Sequence, residues 1–532
     1  KNTFLNRRRF LQHSAAGVTA AALAKRHSLH AANKAANKLR VGVMGLGRGM
    51  AHVKNYLKLS DVEVAYVCDV DDNRTANGLS VVTKSQGAAC RGITDLRRML
   101  DDPHLDAISI AAPNFWHAPA TILGCQAGKH VYVEKPGSHN AAEAGLMVAA
   151  ARKHKRLVQM GNQRRSYPLI IEAVQRMHEG VIGRMLASRS FYTSGRGSIG
   201  KGKPAPVPKH LNYDLWQGPA PERPYKDNLI PYNWHWHWHY GGGEMANNGV
   251  HALDLARWGL GVDLPQRVTY GGGRYHFDDD QESPDTGTAL FDFGNCTAMW
   301  DQSSCLRRKH EALPFVVFYG DNGTLTMTTG NKYIIHDLAG KEVETKSQPA
   351  DDILHFTNFV NAIRNGEKLN AEIGDGQVST LLCHLANMAW RSGSTVDFDP
   401  AKRSIVDNPA AAKLWARETD PAGSLKFERG LASQAGKTPL LFLLGFIAGD
   451  FVHAYIMDRQ NSGDFFDPEG LMILLAAGPF TAPTMCLSIM EIEEHTSELQ
   501  SRTNLVCRLL LEKKKKKTKE NNKKKKNNNQ QR

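Results

Sequence analysis

A short apolar run that ends in a glycine-rich turn constrains this chain more than any other feature. Val41-Gly42-Val43-Met44-Gly45 has the composition of a buried strand, and Gly45-Leu46-Gly47-Arg48-Gly49 turns from it into a helix. Glycines are needed where a backbone must turn sharply and come close to a pyrophosphate. The start of the following helix offers N–H groups and a positive dipole end to that phosphate. The third glycine of a G-x-G-x-x-G pattern would fall at Met50, with Gly49 one residue early, so the turn alone is a weak signal.

The next strand strengthens it. A run over 62–67 leads into Cys68-Asp69, 24 residues after Gly45. An acid at that place accepts hydrogen bonds from ribose hydroxyls and repels a 2′-phosphate, which predicts NAD, with NADP disfavoured. Three further strands are expected: 107–112, ending in Pro113-Asn114 with His117 beyond; 130–133, ending in Glu134-Lys135-Pro136; and 157–160, ending in Gly161-Asn162-Gln163. Apolar helix patterns, such as 141–151, lie between them. This is the rhythm of a doubly wound parallel sheet. Ligands of such sheets bind outside the carboxyl ends of the strands, where Asp69, Pro113, Glu134, Lys135 and Gln163 all fall.

After Gln163 the pattern changes. A helix over 169–178 precedes strand-like runs at 185–191, 268–271, 288–293, 297–301 and 315–319, with few helices between them. An antiparallel sheet is expected, closed by helices near 353–364 and 378–391. Within this half, Trp234-His235-Trp236-His237-Trp238-His239-Tyr240 alternates strictly, which predicts a strand with aromatics on one face and histidines on the other. A metal held by His235, His237 and His239 is an alternative, but no cysteine or carboxylate cluster completes it, and no metal is expected.

Gly241-Gly242-Gly243-Glu244-Met245-Ala246-Asn247-Asn248-Gly249-Val250-His251-Ala252-Leu253-Asp254 completes the set of motifs. Asn247 and His251 are four apart and share a face of a helix. With the glycine turn, the Pro113-Asn114-x-x-His117 segment and the Glu134-Lys135-Pro136 triplet, it resembles the Gfo/Idh/MocA oxidoreductases over about 39–418. The resemblance implies a Rossmann domain followed by an α+β domain with a large, mostly antiparallel open sheet covering the nicotinamide end of the cofactor. It also implies that Lys135 contacts both nicotinamide and substrate. In the family an Asp assists the His in proton transfer; here Asn247 stands in its place. Asn cannot accept a proton, and its neutrality removes a charge that would raise the pKa of His251. A neutral His251 serves as general base, with Lys135 orienting the reacting hydroxyl.

The expected catalytic set is therefore Lys135, His251 and Asn247. The cofactor set is Gly45, Gly47, Arg48, Asp69, Pro113, Asn114, His117, Glu134, Lys135 and Gln163. Arg165, Trp236, Tyr240 and Asp254 are substrate candidates, the aromatics because rings stack on sugar faces and the arginine because it grips acidic or phosphorylated groups. Arg164 shares that last argument with Arg165. The expected activity is hydride transfer on a sugar, sugar derivative or cyclitol. The alternative is a redox-neutral, NAD-dependent glycoside hydrolase or lyase. A non-catalytic sugar-binding relative has only Asn247 in its favour. A homo-oligomer through the open sheet face is implied by the resemblance.

The ends carry different information. Arg7-Arg8-Arg9-Phe10-Leu11 precedes an Ala-rich apolar run over 15–24, resembling a twin-arginine export signal. That run is about half of the ~20 residues needed to span a bilayer. Periplasmic export by the twin-arginine machinery is expected, with 1–37 as signal and linker. Residues 38–163 form the dinucleotide domain and 164–420 the substrate and oligomerisation domain. The apolar segment 421–492 is read as non-native sequence rather than a membrane anchor. Residues 493–501 resemble a translated sequencing adapter, and the rest of 493–532 resembles translated poly-A, the other reading being a disordered basic tail. The residues from Ser501 carry 13 Lys+Arg against 2 Asp+Glu, so +11 of the formal +14 lies there. The body has no basic bias, and no nucleic-acid partner is expected. None of the eight cysteines forms a CxxC pair, which argues against a zinc ribbon.

Overall fold

The structure, a computed structural model, describes residues 38–417 with the exception of Ala88. The signal-like start, the apolar segment 421–492 and the basic end lie outside the described residues.

Six strands, β1 (Leu39–Met44), β2 (Val62–Cys68), β3 (Arg91–Ile93), β4 (Ala107–Ile110), β5 (His130–Val133) and β6 (Val158–Met160), pair in parallel in the order β3-β2-β1-β4-β5-β6. β4 and β6 are buried at every residue and β1 and β5 at all but one, as a parallel sheet covered by helices on both faces requires. The order reverses between β1 and β4, the switch point where such sheets open a crevice. Gly45 sits there with φ +84°, and a Cβ on it would lie 2.6 Å from the main chain of Ala111 just past β4. Only glycine lets the two strand ends approach so closely. A Cβ on Gly49 would come within 3.1 Å of Val43. Gly49 therefore supplies the close helix–strand packing usually given by the third glycine, one residue earlier.

The second sheet has ten strands: β7 (Met185–Thr193), β8 (Arg267–Gly273), β9 (Thr286–Asp292), β10 (Thr297–Ser303), β11 (Val316–Gly320), β12 (Thr324–Met327), β13 (Asn331–His336), β14 (Glu342–Gln348), β15 (Val396–Asp399) and β16 (Ser404–Val406). Their order is β14-β13-β12-β11-β7-β10-β9-β8-β15-β16. Every pair is antiparallel except β7 with β10, which a long crossover makes parallel. Burial alternates along β9 and β13, the mark of a sheet with one covered face. Helices Pro168–His178, Val250–Leu260 and Ile373–Ser392 contribute to the core on that face. The fold class expected from the sequence is the one observed.

Helix Ile353–Asn365 comes after most of the second sheet in the chain but completes the core of the first. Phe356, Phe359 and Val360 pack with β1, β2 and β5, and Phe356 stacks on Tyr132 with ring centroids 4.7 Å apart.

The strand expected over 234–240 is not formed. Asn233–Trp236 is a single 3-10 turn, and the backbone N–H groups of Trp234, His237, Tyr240 and Gly241 find acceptors within the same loop. Alternation of aromatic and histidine therefore has no pleat to act on. His235 reaches the Tyr232 carbonyl at 2.7 Å, His239 the Pro221 carbonyl at 2.7 Å, and His237 the Glu282 carboxylate at 3.6 Å. The three imidazoles share no face, and the metal alternative loses its geometric basis. The six described cysteines, Cys68, Cys90, Cys125, Cys296, Cys305 and Cys383, are free thiols.

Candidate functional site

A cleft of about 690 Å³ opens at the carboxyl ends of β1, β2, β4 and β5 and is closed by the 230–251 region and Asp352. Gly45, Gly47, Arg48, Asp69, Pro113, Asn114, His117, Glu134, Lys135, Gln163, Asn247 and His251 all line it. The structure thus gathers into one cavity residues from the strand ends of the first sheet and from loops and a helix of the second domain.

Glu134 organises the floor. Its Oε1 accepts from Arg48 Nε (3.2 Å) and Gln163 Nε2 (3.2 Å) and lies 2.9 Å from His52 Nε2. The other nitrogen of His52 meets Ser109 at 2.9 Å, so the ring is oriented from both sides. Burial by itself would raise the Glu134 pKa, but the hydrogen bond to His52 and the charges of His52, Arg48 and Lys135 outweigh it and hold the carboxyl well below the usual range. A buried carboxylate so paired is ionised. Arg48 also donates to Asp352 (3.4 Å), whose other oxygen accepts from Tyr167 Oη (2.6 Å). His117 is buried with its ring nitrogens against the carbonyls of Pro136 (2.6 Å) and Ala112 (2.8 Å), tying the helix after Pro113 to the turn after Lys135.

Lys135 reaches across the cleft. Its Nζ donates to the main-chain carbonyl of Asn247 (2.7 Å) and to Asn247 Oδ1 (3.2 Å). The Asn247 amide in turn donates to Tyr232 Oη (3.3 Å). Burial lowers the Lys135 pKa, with Glu134 opposing and Arg48 and Arg164 reinforcing the fall. His251 is driven well below the ordinary histidine value by burial first, then by the charges of Lys135 and Arg164. It is neutral at pH 7 and able to accept a proton. The α-helical spacing assumed for Asn247 and His251 is not the observed one: Met245–Gly249 is a π-turn leading into helix Val250–Leu260, an irregularity frequent at functional sites. Both side chains still face the cleft.

Four expected substrate residues do not line it. Arg165 is buried with Asp254 (Nε to the two carboxylate oxygens at 3.0 and 2.9 Å) and with Asp375. This is an internal ion pair between the β6 turn and two helices. Tyr240 is buried with its hydroxyl on Gln217 (3.2 Å). Trp236 is 1% exposed beneath the Arg196 guanidinium, 4.1 Å from the ring centroid. Position in the loop, not residue type, decides this: the neighbouring Trp234 and His235, stacked at 3.6 Å, do line the cleft. Tyr232, Tyr167, Asp352 and Arg74 were not foreseen; none stands in a periodic pattern or a motif. Glu244 lies behind the site, 2% exposed and hydrogen-bonded to Asn248, and burial pushes its pKa up to about 7.

The other end of the cleft fits a dinucleotide. Helix Gly49–Leu57 begins at the glycine turn, and Asp69 Oδ2 and Oδ1 accept from the backbone N–H groups of Leu46 (2.6 Å) and Asp71 (3.0 Å). That holds the carboxylate rigidly at the end of β2, where adenosine ribose hydroxyls bind. A Cβ at Gly47 would meet the Arg74 guanidinium at 2.7 Å, so a side chain there would displace Arg74.

Fold and cleft together define a two-domain protein of the dinucleotide-binding oxidoreductase class of folds. The chain belongs to the Gfo/Idh/MocA oxidoreductase family. Residues 39–162 match its NAD-binding Rossmann fold and residues 187–421 its C-terminal alpha/beta domain. Levoglucosan dehydrogenase of Pseudarthrobacter phenanthrenivorans is 29% identical over 193 residues, 34% of this chain and 42% of that protein. A glycosyl hydrolase family 109 protein of Shewanella pealeana is 31% identical over 163 residues, 29% of this chain and 35% of that protein. The aligned stretches thus span less than half of these relatives' own lengths. Among solved structures, levoglucosan dehydrogenase in complex with NADH superposes with a TM-score of 0.55 at 19% identity, over 68% of this chain and 99% of that one.

Proposed function

We propose that this protein oxidises a secondary hydroxyl of a sugar, sugar derivative or cyclitol, or reduces the corresponding ketone, using NAD in preference to NADP. The observation that carries this reading is the bond from Lys135 Nζ to Asn247, with His251 lining the same cleft. Gly45, Gly47, Arg48 and Asp69 would hold the dinucleotide, and Lys135, Glu134 and Gln163 would flank its nicotinamide. When bound, the nicotinamide supplies the hydride acceptor or donor. The protein's own part is proton management. Neutral His251 takes the hydroxyl proton at a ring nitrogen. The Lys135 ammonium donates to the reacting oxygen and stabilises the charge that develops there. Trp234 and His235 offer a flat face for a sugar ring. Asp69 favours NAD, since its carboxylate repels a 2′-phosphate.

Similarity to glycosyl hydrolase family 109 proteins supports a second reading, a redox-neutral cycle in which transient oxidation acidifies a neighbouring C–H and a glycosidic bond is eliminated. The Arg7-Arg8-Arg9-Phe10-Leu11 start supports export by the twin-arginine route to the periplasm. That route carries folded protein with its nucleotide already trapped, which suits either cycle. Leu186 and Leu290, both exposed on the large sheet, support a homo-oligomer through that face. The test is purification without added cofactor, mass spectrometry of the released nucleotide, and a sugar screen read for both NADH and released aglycone. Absence of bound or bindable nucleotide refutes both readings. Net NADH refutes the redox-neutral one.

A further inference from the structure

Arg164 and Arg165 are neighbours in sequence, but they are neutralised differently. Arg165 is matched by Asp254 and Asp375. Arg164 gives Nε and Nη2 to one uncharged acceptor, the Thr329 carbonyl, at 3.2 and 3.1 Å, and lies over the Phe315 ring, 4.6 Å from its centroid. Among the described residues nothing accepts from its Nη1. It lines the cleft, and its charge bears on both Lys135 and His251.

The charges at this end do not balance. Arg48, Lys135 and Arg164 face Glu134 and Asp352, and both carboxylates are already engaged by Arg48. Glu244 adds a partial negative charge behind Asn247, opposed by Arg196. One positive charge stays unmatched. Arg164 is half-buried, and a partly desolvated guanidinium whose only protein acceptor is neutral gains from an anion that completes it.

The dinucleotide phosphates do not fill this role. Arg164 belongs to the turn after β6, three strand positions from the glycine turn after β1 in the order β1-β4-β5-β6. At about 4.8 Å per strand that is roughly 14 Å away. Its braces, Thr329 and Phe315, flank strands of the second sheet, on the substrate side.

We propose that Arg164 binds a carboxylate carried by the substrate, so that the protein acts on a sugar acid or polyhydroxy acid in preference to a neutral sugar. The planar fork suits a carboxylate, which Nη1 can meet with its free N–H groups. A carboxylate monoanion offsets the single excess charge of the protein groups at this end. The same contact offsets the Arg164 charge felt by His251, so binding the correct substrate strengthens the base that acts on it. This rests on the hydride-transfer reading of the cleft for its chemistry, but not for its binding.

The test has two arms. With NAD, turnover is measured on D-glucuronate, D-galacturonate and D-gluconate, on D-glucose and D-galactose, and on D-glucose 6-phosphate. Separately, binding of the same acids to the purified protein is measured by calorimetry for wild type, Arg164→Gln and Arg164→Lys, with folding checked by circular dichroism. The acids are expected to exceed the neutral sugars in kcat/KM. Arg164→Gln is expected to weaken acid binding by about 30-fold or more, as loss of one partner of a buried charge pair does, with Arg164→Lys restoring part of it. Preference for neutral sugars, preference for the phosphate, or acid binding unchanged in a folded Arg164→Gln overturns the proposal. Arg164-dependent acid binding with no turnover on any compound sustains it and counts against the hydride-transfer reading instead.

Discussion

The Lys135 ammonium lies 2.7 Å from the main-chain carbonyl of Asn247, a contact between the end of a Rossmann strand and the π-turn of a motif 112 residues later. A carbonyl is an acceptor that mutation of the Asn side chain cannot remove, so the lysine is positioned by the backbone of the second domain. Lys135→Met should therefore lower kcat/KM by about 10²–10³-fold, as loss of a preorganised donor to a developing oxyanion does. Nucleotide affinity measured by fluorescence titration should change far less. Equal losses in both would show that Lys135 serves the cofactor alone.

Asn247→Asp should move the acid limb of the pH profile upward. Burial and the charges of Lys135 and Arg164 hold the His251 pKa well below 6.5, so the wild-type kcat/KM should stay flat down to mildly acidic pH. A carboxylate at 247 favours the imidazolium, and the limb should then approach neutrality. Profiles that superimpose would remove His251 from the role of base. His251→Ala should cost about 10²–10⁴-fold.

Removal of the Asp69 carboxylate should change the cofactor preference. Asp69 is fixed by Leu46 and Asp71 backbone groups at the ribose position, and Arg74 stands beside it against Gly47. Asp69→Ala removes one carboxylate and leaves Arg74, paired at 3.8 Å with Asp71, and the NADP/NAD ratio of kcat/KM should rise by about tenfold. Asp69→Ala with Arg74→Ala should lose that gain. A ratio that does not move would place the adenosine ribose elsewhere.

Glu244 offers a stability test with a defined sign. Its pKa is pushed by burial to about 7 in the folded protein, against about 4.3 when unfolded. Its contribution is fully present below the unfolded value and is lost as pH rises through about 7. The loss amounts to about 1.4 kcal/mol for each pH unit between the two values. Glu244→Gln keeps an acceptor for Asn248 and should raise the melting temperature more at pH 8 than at pH 5. A difference independent of pH would mean that the carboxyl titrates normally.

Arg165 and Asp254 should behave as structural residues. Replacing one partner of a buried ion pair typically costs about 3–5 kcal/mol, so Arg165→Met should lower the urea midpoint clearly while leaving KM of the remaining folded enzyme near its original value. A large rise in KM without loss of stability would return Arg165 to the substrate site.

The dinucleotide half was legible for a physical reason. A parallel sheet buried on both faces needs continuous apolar runs, and a phosphate turn needs glycine; both requirements are local and leave marks in consecutive residues. β5 was expected over 130–133 and is found at His130–Val133. Every residue of the expected cofactor set lines the cleft. Expectation failed where local pattern had no tertiary support. The Trp/His alternation of 234–240 imitates a strand, but the backbone N–H groups of Trp234, His237 and Tyr240 are satisfied inside the loop, and that of Trp238 by the Glu282 carboxylate. The paired arginines 164 and 165 are indistinguishable by type, and only the packing of Asp254 and Asp375 decides which of them is spent on an ion pair.

By itself the sequence determined the doubly wound sheet, the glycine turn, the strand-end acid and the lysine and histidine of the motifs, because each rests on interactions within a few residues or on a regular period. Tertiary structure alone decided which polar groups share a cavity. Glu134 gathers partners from positions 48, 52 and 163, Lys135 finds Asn247, and Arg164 is left with a neutral acceptor. Those pairings depend on distance in space, and separation along the chain carries no record of it.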